Sequence, residues 1–98
     1  IKKMDLRNIF NQSNTVIIDV REPFEFASGH AAGAINIPLG TIPSRINEIK
    51  NMGTPVVVYC RSGMRSASAM GFLKAQGIQD VYNGGSLDEV LHYQRKAA

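Results

Sequence analysis

Short apolar runs that do not alternate with polar residues most constrain the fold of this chain. The clearest are TVIIDV at residues 15–20 and PVVVYC at residues 55–60, both rich in β-branched side chains. A strand that is apolar on both faces is typical of a parallel sheet covered by helices on both sides. Shorter runs, AINIP at residues 34–38 and DVYN at residues 80–83, predict two further strands.

The segments between these runs carry helix signals and predict four helices, at residues 21–30, 41–50, 66–76 and 86–96. The first has Pro23 near its first helical position, and Gly77 ends the third. The last opens with Ser86 and Glu89 at the spacing of a capping box, in which each side chain bonds to the backbone of the other residue. Strands that alternate with short helices predict an α/β domain of three layers, with a central, mostly parallel sheet flanked by helices.

Size and composition indicate one soluble domain spanning residues 1–98, with 44% hydrophobic and 19% charged residues. No apolar stretch approaches the roughly 20 residues that a membrane helix needs, so no membrane partner is expected. The net charge is +3, but the basic residues are scattered, which argues against nucleic-acid binding and suits a small anionic substrate. We expect a monomer in the cytoplasm, or in the periplasm if a leader was removed ahead of Ile1.

The chain contains a single cysteine, Cys60, at the end of the strongest predicted strand. One cysteine excludes an internal disulfide and a multi-cysteine zinc site, and neither histidine has a metal-ligand spacing to it. A lone cysteine is most often a small buried apolar residue, but it can also be a nucleophile. The residues that follow it decide between these two interpretations.

The loop after Cys60 has the composition of an anion cradle. Ligands of parallel α/β sheets bind beyond the carboxyl ends of the strands, and this loop leads into a predicted helix, whose N-terminus carries about half a positive charge. Such surroundings stabilise a thiolate, so the pattern indicates a nucleophile with a lowered pKa. The contributing residues are the cations Arg61 and Arg65, the hydroxyl donors Ser62 and Ser66, Gly63, which permits a positive φ, and Met64, which either lines a pocket mouth or is simply exposed.

Three stretches of the sequence, in this order, resemble the single-domain rhodanese (thiosulfate sulfurtransferase) family. DVREPFEFASGHAAGAINIP at residues 19–38 resembles the first signature of the family, and VVVYCRSGMRS at residues 56–66 resembles its active-site loop. VYNGGSLDEV at residues 81–90 resembles its last strand and Gly-Gly turn. The resemblance covers nearly the whole chain and implies the rhodanese-like version of the three-layer fold.

The resemblance implies a sulfurtransferase in which Cys60 takes a sulfane sulfur from thiosulfate or a similar anionic donor. The resulting persulfide would be passed to a thiophilic acceptor, which is cyanide, a thiol or a protein. No metal and no organic cofactor are implied. The family often has a Trp shortly after the Gly-Gly pair, where this chain has Glu89. The substrate-binding residues implied are those of the loop: Arg61, Ser62, Gly63, Met64, Arg65 and Ser66.

Two other functions stay open beside this one. Dual-specificity phosphatases share the architecture and, like arsenate reductases, form the disfavoured alternative, because the phosphatase loop has an arginine six residues after its cysteine. In this chain Arg65 comes one position too early and Ser66 stands in its place, so no guanidinium is placed to clamp a phosphoryl group. The second alternative is a persulfide carrier or an interaction module that serves a protein partner.

Several polar and glycine residues outside the loop are predicted to be structural. We expect Asp19 to cap a turn, Arg21 to form an ion pair and His30 to make a structural hydrogen bond, because turn and cap positions commonly hold such residues. Gly84 and Gly85 are predicted to form a turn that brings the backbone close to its neighbour.

Overall fold

A computed structural model describes residues 5–97, and at its centre is one parallel sheet of four strands in the order β2-β1-β3-β4. Because all strands run the same way, their carboxyl ends and the loops after them lie along one edge of the sheet. The four strand predictions are confirmed, although the last strand continues beyond the predicted residues. The strands are β1 (Val16–Asp19), β2 (Ile35–Asn36), β3 (Val56–Cys60) and β4 (Val81–Ser86).

Five α-helices and one 3-10 helix connect the strands within the described residues. They cover both faces of the sheet, so the predicted three-layer α/β architecture is confirmed. None of these helices is long and apolar enough to cross a membrane. The helices are α1 (Leu6–Phe10), α2 (Pro23–Ala27), a 3-10 helix at Leu39–Arg45 that leads into α3 (Ile46–Met52), α4 (Met64–Ala75) and α5 (Leu87–Lys96).

The first face of the sheet is covered by the 3-10 helix, α3 and α4. Val56 and Val58 of β3 pack beneath these helices, which contribute Ile42, Ile49 and Leu73, and all five side chains are buried. Burial of one such aliphatic side chain contributes about 1.5–3 kcal/mol to folding. The β-branched residues of β3 are therefore a main source of stability for the strand that ends at the candidate nucleophile.

The second face of the sheet is covered by α1 and α5. Ile17 of β1 and Tyr59 of β3 form a buried cluster with Val90 of α5, and Phe10 of α1 packs against it. Successive side chains of a strand point to opposite faces. Cys60, the residue after Tyr59, accordingly belongs to the first face and lies in the cluster that includes α4.

The helices differ from the sequence-based prediction in number and in bounds, and α2 at Pro23–Ala27 is shorter than the predicted 21–30. The short helix α1 was not predicted, and it begins after Asp5, whose carboxylate accepts the Arg7 N–H at 2.9 Å. The segment predicted as a helix at residues 41–50 starts as a 3-10 helix, Leu39–Arg45, which contains Pro43, and becomes α-helical at Ile46. Helix α4 begins at Met64 rather than at residue 66.

The capping box of α5 is confirmed in both directions. The Glu89 N–H donates to Ser86 Oγ at 3.1 Å, and the Ser86 N–H donates to Glu89 Oε1 at 3.0 Å. Glu89, which occupies the position where the family often has Trp, therefore caps the N-terminus of α5 in this chain. The cap places the start of α5 directly at the carboxyl end of β4.

The glycine pair lies inside β4, so the predicted turn is wrong. Val58 pairs with Asn83 and Tyr59 with Gly85, which leaves Gly84 as the extra residue of a β-bulge. The predicted close approach is confirmed, because a Cβ on Gly84 would lie 2.8 Å from a methyl carbon of Val57. Gly85, the residue after the bulge, lies against Gly63 of the loop that follows β3.

Candidate active site

Cys60 is the last residue of β3, which lies between β1 and β4, and it is fully buried. In the sheet register it pairs with Ser86, the last residue of β4. The polypeptide continues from Cys60 through a three-residue loop into α4. The sulfur lies beneath this loop, so a reactant approaches it from the carboxyl edge of the sheet.

Backbone N–H groups of the loop and of the first turn of α4 point at the Cys60 sulfur. The Gly63 N–H donates to Sγ at 3.0 Å, and the Ser66 N–H donates at 3.4 Å. Gly63 is the N-cap of α4, with φ of 95°, and has no side chain that could cap the helix. The sulfur accepts the hydrogen bonds that a capping side chain normally takes, and the positive end of the helix dipole faces it. The species that this arrangement stabilises is an anionic sulfur.

The pKa of Cys60 reflects two opposing effects. Burial alone raises the pKa of the thiol, because it disfavours the charged form. Hydrogen bonds from the Ser66 hydroxyl and from the N–H groups of Ser66, Ser62 and Gly63 favour the thiolate, and together they outweigh burial. The net result is a pKa below the ordinary value of 9.0, which is the property required of a thiolate nucleophile.

A polar cluster next to the sulfur contains a residue that the sequence did not single out, Asn83 of β4. The Ser66 hydroxyl lies 3.4 Å from Cys60 Sγ and donates to Asn83 Oδ1 at 2.7 Å. Asn83 Nδ2 donates to the Gly63 carbonyl oxygen at 3.1 Å. The available signal was an amide side chain within a strand otherwise built of apolar and small residues.

The Arg65 side chain is directed to Glu25 of α2. Its two terminal nitrogens donate to the two carboxylate oxygens of Glu25 at 2.8 and 3.0 Å. The same carboxylate accepts the Glu22 N–H at 2.9 Å. These contacts lower the pKa of Glu25 to about 2, and the hydrogen bonds from Arg65 have the largest effect. The pair is therefore fully charged at neutral pH. The positive charge of Arg65 is therefore balanced beside the loop.

Arg61 is the loop cation without a partner, because it makes no hydrogen bond or ion pair with any of residues 5–97. Its side chain lines an open groove of about 400 Å³ together with Phe24, Glu25 and Asp88. Phe24 is 75% exposed and Met64, at the start of α4, is 77% exposed. The groove thus combines one unpaired guanidinium, that of Arg61, with the apolar surface of Phe24 and the carboxylates of Glu25 and Asp88, whereas Met64 does not line it.

The residues predicted to be structural make the contacts expected of them. Asp19 is fully buried and accepts the Arg21 N–H at 2.9 Å, and the Arg21 guanidinium pairs with the same carboxylate at 2.7 Å. The Tyr59 hydroxyl also donates to Asp19, at 2.7 Å. His30 shares a hydrogen bond of 2.9 Å with the Phe26 carbonyl oxygen and stacks on its ring.

The structure divides the six loop residues predicted to bind substrate into two groups. The first group faces the sulfur through backbone N–H groups and consists of Ser62, Gly63 and Ser66. The second group consists of Arg61, Met64 and Arg65, whose side chains make no hydrogen bond to Sγ among the described residues. Substrate binding by either group stays a prediction. The neighbours that the sequence did not predict are Asn83 and Glu25.

Across the described chain, no cluster of three or more His, Cys, Asp or Glu side chains is arranged to hold a metal ion.

Comparison with known sequences gives consistent matches over most of the chain. A model of the family described as rhodanese-like domain matches residues 3–88. The chain is 46% identical over 67 residues to the uncharacterized protein YqhL of Bacillus subtilis, which covers 68% of the chain and 52% of YqhL. It is 38% identical over 74 residues to the thiosulfate sulfurtransferase PspE of Escherichia coli, covering 74% of the chain and 71% of PspE. The chain thus spans about half of the first relative and more of the second.

Comparison with solved structures supports the same grouping. A structure titled rhodanese with anions from Escherichia coli superposes with a TM-score of 0.70 at 37% sequence identity. The superposition covers 76% of this chain and 89% of that one. The similarity therefore extends from the sequence motifs to the arrangement of the sheet and helices.

Proposed function

The chain belongs to the rhodanese-like domain family, and we propose that it is a sulfurtransferase in which Cys60 carries a sulfane sulfur as a persulfide. The observation that carries the proposal is the set of N–H groups from Gly63 and Ser66 on the buried sulfur. A cysteine that only filled the core would need no donors around it. The Ser66 hydroxyl and these N–H groups lower the pKa of Cys60 against the effect of burial, which increases the fraction of nucleophilic thiolate at neutral pH.

In the first step the Cys60 thiolate attacks the outer sulfur of the donor. With thiosulfate, a bond forms between Cys60 Sγ and the outer sulfur, and the bond between the two donor sulfurs breaks. Sulfite leaves as a dianion with the electron pair of the broken bond, so that Sγ becomes neutral and the outer sulfur keeps the negative charge that it had in thiosulfate. N–H groups aimed at this charge stabilise the transition state, and removal of one such donor typically costs on the order of 100-fold in rate.

In the second step a thiophilic acceptor attacks the terminal sulfur of the persulfide. With cyanide, a carbon–sulfur bond forms, the sulfur–sulfur bond breaks, and the electron pair returns to Cys60 as a thiolate. Thiocyanate is released and the cycle closes without a change in the number of protons. A thiol or a protein cysteine in thiolate form replaces cyanide in the same scheme.

The donor is a small anion, because the sulfur is fully buried and its surroundings offer N–H groups and positive charge. Arg61, the loop cation without a partner, attracts the donor to the mouth of the loop. Thiosulfate and other small anions with a sulfane sulfur fit these requirements. The protein acts as a soluble monomer on this proposal, with no metal or organic cofactor.

The phosphatase alternative gains no support from the site. Ser66, the residue at the position of the phosphatase arginine, is buried in α4 with its hydroxyl between Cys60 and Asn83. The guanidinium one position before Ser66, that of Arg65, is held by the carboxylate of Glu25. The clamp that stabilises a phosphoryl transition state would have to come from elsewhere.

The test is the intact mass of the protein before and after incubation with thiosulfate, and again after addition of cyanide. We expect a gain of one sulfur atom on wild type and its loss to cyanide with release of thiocyanate. The matched control is Cys60→Ser, which should gain nothing. Absence of any sulfur on a folded wild-type protein, with thiosulfate and with an alkyl persulfide as donor, would refute the proposal.

The carrier alternative uses the same persulfide but a protein acceptor. It predicts that labelled sulfur on Cys60 moves to a partner protein faster than to cyanide or to small thiols. Transfer only to cyanide and small thiols would contradict the carrier alternative and support an enzyme that acts on small acceptors.

A further inference from the structure

Asn83 connects β4 to both groups that contact the Cys60 sulfur. Its Nδ2 donates to the Gly63 carbonyl oxygen at 3.1 Å, and its Oδ1 accepts the Gly85 N–H at 2.9 Å and the Ser66 hydroxyl at 2.7 Å. A backbone N–H only donates and a carbonyl oxygen only accepts, so these partners determine which end of the amide is the oxygen. The orientation of Asn83 is therefore set by its hydrogen bonds.

The contact with Gly63 holds the residue that faces the sulfur most closely. The Gly63 carbonyl oxygen accepts from Asn83 Nδ2 and from the Ala67 N–H of α4, at 3.0 Å, while the Gly63 N–H donates to Cys60 Sγ. Gly63 has a positive φ that few residues adopt, and its backbone lies against Gly85. Asn83 thus helps to keep the Gly63 N–H aimed at the sulfur.

The contact with Ser66 concerns a single proton. A serine hydroxyl has one proton, and Asn83 Oδ1 at 2.7 Å competes for it with Cys60 Sγ at 3.4 Å. While the proton points to Asn83, the Ser66 oxygen faces the sulfur with lone pairs and accepts the proton of a neutral thiol. When the thiol proton leaves to solvent, the hydroxyl can rotate and donate to the thiolate. Asn83 then still accepts the Gly85 N–H, so its oxygen is not left unpaired.

We propose that Asn83 is a positioning residue for sulfur transfer, which orients the Gly63 N–H and holds the Ser66 proton until the Cys60 thiolate forms. In the persulfide the negative charge lies on the outer sulfur and Sγ is neutral. The Ser66 hydroxyl therefore rotates back and donates its hydrogen bond to Asn83 Oδ1 again. The proton never leaves Ser66, and the rotation follows the charge on Sγ through the cycle. The persulfide part of this inference depends on the proposed function, whereas the coupling of Asn83 to the thiolate does not.

The test measures the thiolate of Cys60 directly, by ultraviolet absorbance as a function of pH, with Cys60→Ser as the blank for tyrosine ionisation. Ser66→Ala removes the hydroxyl donor, so the thiolate fraction at neutral pH should fall about tenfold. Asn83→Asp keeps the accepting oxygen but places a negative charge beside Sγ and an oxygen against the Gly63 carbonyl. It should also lower the thiolate fraction about tenfold.

A double-mutant cycle separates the two contacts of Asn83. Asn83→Ala loosens Gly63, which disfavours the thiolate, but it also frees the Ser66 proton, which favours it. In a Ser66→Ala background only the first effect remains, so Asn83→Ala should lower the thiolate fraction about threefold more there than in wild type. Strict additivity of the two substitutions would overturn the shared-proton part of the proposal.

The matched control is Asn36→Asp in β2, where an amide also donates to backbone carbonyl oxygens, those of Asp19 and Arg21, but outside the Cys60 loop. It should lower thermal stability and leave the Cys60 titration unchanged. If the Asn83 variants behave like this control, Asn83 is only structural. A wild-type protein that gains no sulfur, with the Asn83 results as expected, would refute the sulfurtransferase proposal and not the thiolate coupling.

Discussion

Arg65 and Glu25 form a two-point ion pair, at 2.8 and 3.0 Å, that joins the start of α4 to α2 across 40 residues of sequence. The Glu25 side chain is 16% exposed and that of Arg65 is 36% exposed, so the pair lies at the edge of the loop rather than beneath it. It braces the loop against α2 and cancels the charge of one of its two arginines. Arg61 remains as the loop arginine without an ion-pair partner among residues 5–97.

Release of Arg65 from its partner should improve the use of an anionic donor. In Glu25→Gln the guanidinium keeps a hydrogen-bonding neighbour but loses the opposing charge, so a dianion such as thiosulfate is attracted more strongly. We expect kcat/KM for thiosulfate to rise roughly two- to fivefold at low salt, and the gain to shrink as salt is added. Steady-state assays at two ionic strengths measure this.

The control for this prediction is Glu48→Gln, which breaks the surface pair of Glu48 with Arg45 at 2.7 Å and should leave kcat/KM unchanged. Arg65→Ala is the opposite change and should lower kcat/KM for thiosulfate. An unchanged kcat/KM for thiosulfate in both Glu25→Gln and Arg65→Ala would mean that this ion pair has only a structural role.

Acid should remove the stabilisation that this ion pair provides. The pKa of Glu25 is lowered to about 2 in the folded protein from an ordinary 4.5, so the unfolded chain binds a proton first as the pH falls. The contribution of Glu25 is therefore complete above about pH 4.5 and is lost as the pH falls toward 2. Urea unfolding across this range measures it, and Glu25→Gln should show a smaller loss than wild type. Parallel curves for the two proteins would contradict the prediction.

Replacement of Cys60 should separate chemistry from folding. Cys60→Ser should abolish sulfur transfer and stay folded, because a hydroxyl can accept the N–H groups of Gly63 and Ser66. Cys60→Ala should be equally inactive but less stable by about 1–3 kcal/mol, because it leaves those donors without an acceptor. Activity assays and urea unfolding measure the two effects, and residual turnover in either folded variant would contradict the assignment of the nucleophile.

The free energy of unfolding should increase with pH at alkaline pH, because the folded protein favours the Cys60 thiolate. The folded-state pKa lies below the ordinary 9.0, so between these two values the unfolded chain holds a proton that the folded protein has lost. Unfolding takes up this proton, and the stability of the wild type should rise with pH in that window and level off above it. Unfolding of wild type and Cys60→Ser at several pH values isolates the effect as a difference, and a difference that falls with pH would contradict it.

The bulge in β4 should tolerate no side chain at Gly84. A Cβ there would lie 2.8 Å from Val57 Cγ1 and 2.9 Å from Val90 Cγ2, both in packed positions. We expect Gly84→Ala to lower stability by about 1–3 kcal/mol. Gly71→Ala is the matched control, because a Cβ there meets nothing within 4 Å and the residue lies in α4, where alanine should add about 0.5–1 kcal/mol. Equal effects of the two substitutions would show that the bulge is not tightly packed.

Much of the fold could be predicted from the sequence, and Cys60 could be singled out as the candidate nucleophile, because the signals are local. The apolar runs that became β1 and β3 have a pattern typical of buried parallel strands, and the Ser86–Glu89 capping box acts over three residues. Cys60 and its loop likewise form one continuous segment. Less regular segments were predicted less well: α1 is too short for a periodic pattern, and the 3-10 helix at Leu39–Arg45 was missed.

By itself, then, the sequence determined the strands, most of the helices and the choice of Cys60 as candidate nucleophile, since each depends on residues close together in the chain. Only the tertiary structure decided the neighbours of that cysteine. Asn83 reaches Ser66 because β4 pairs with β3 in a register that places Asn83 opposite Val58, two residues before Cys60. Glu25 reaches Arg65 because α2 and α4 begin at the same edge of the sheet. The physical reason is that these contacts depend on strand order and register, which the packing of the whole core sets and which no local pattern encodes.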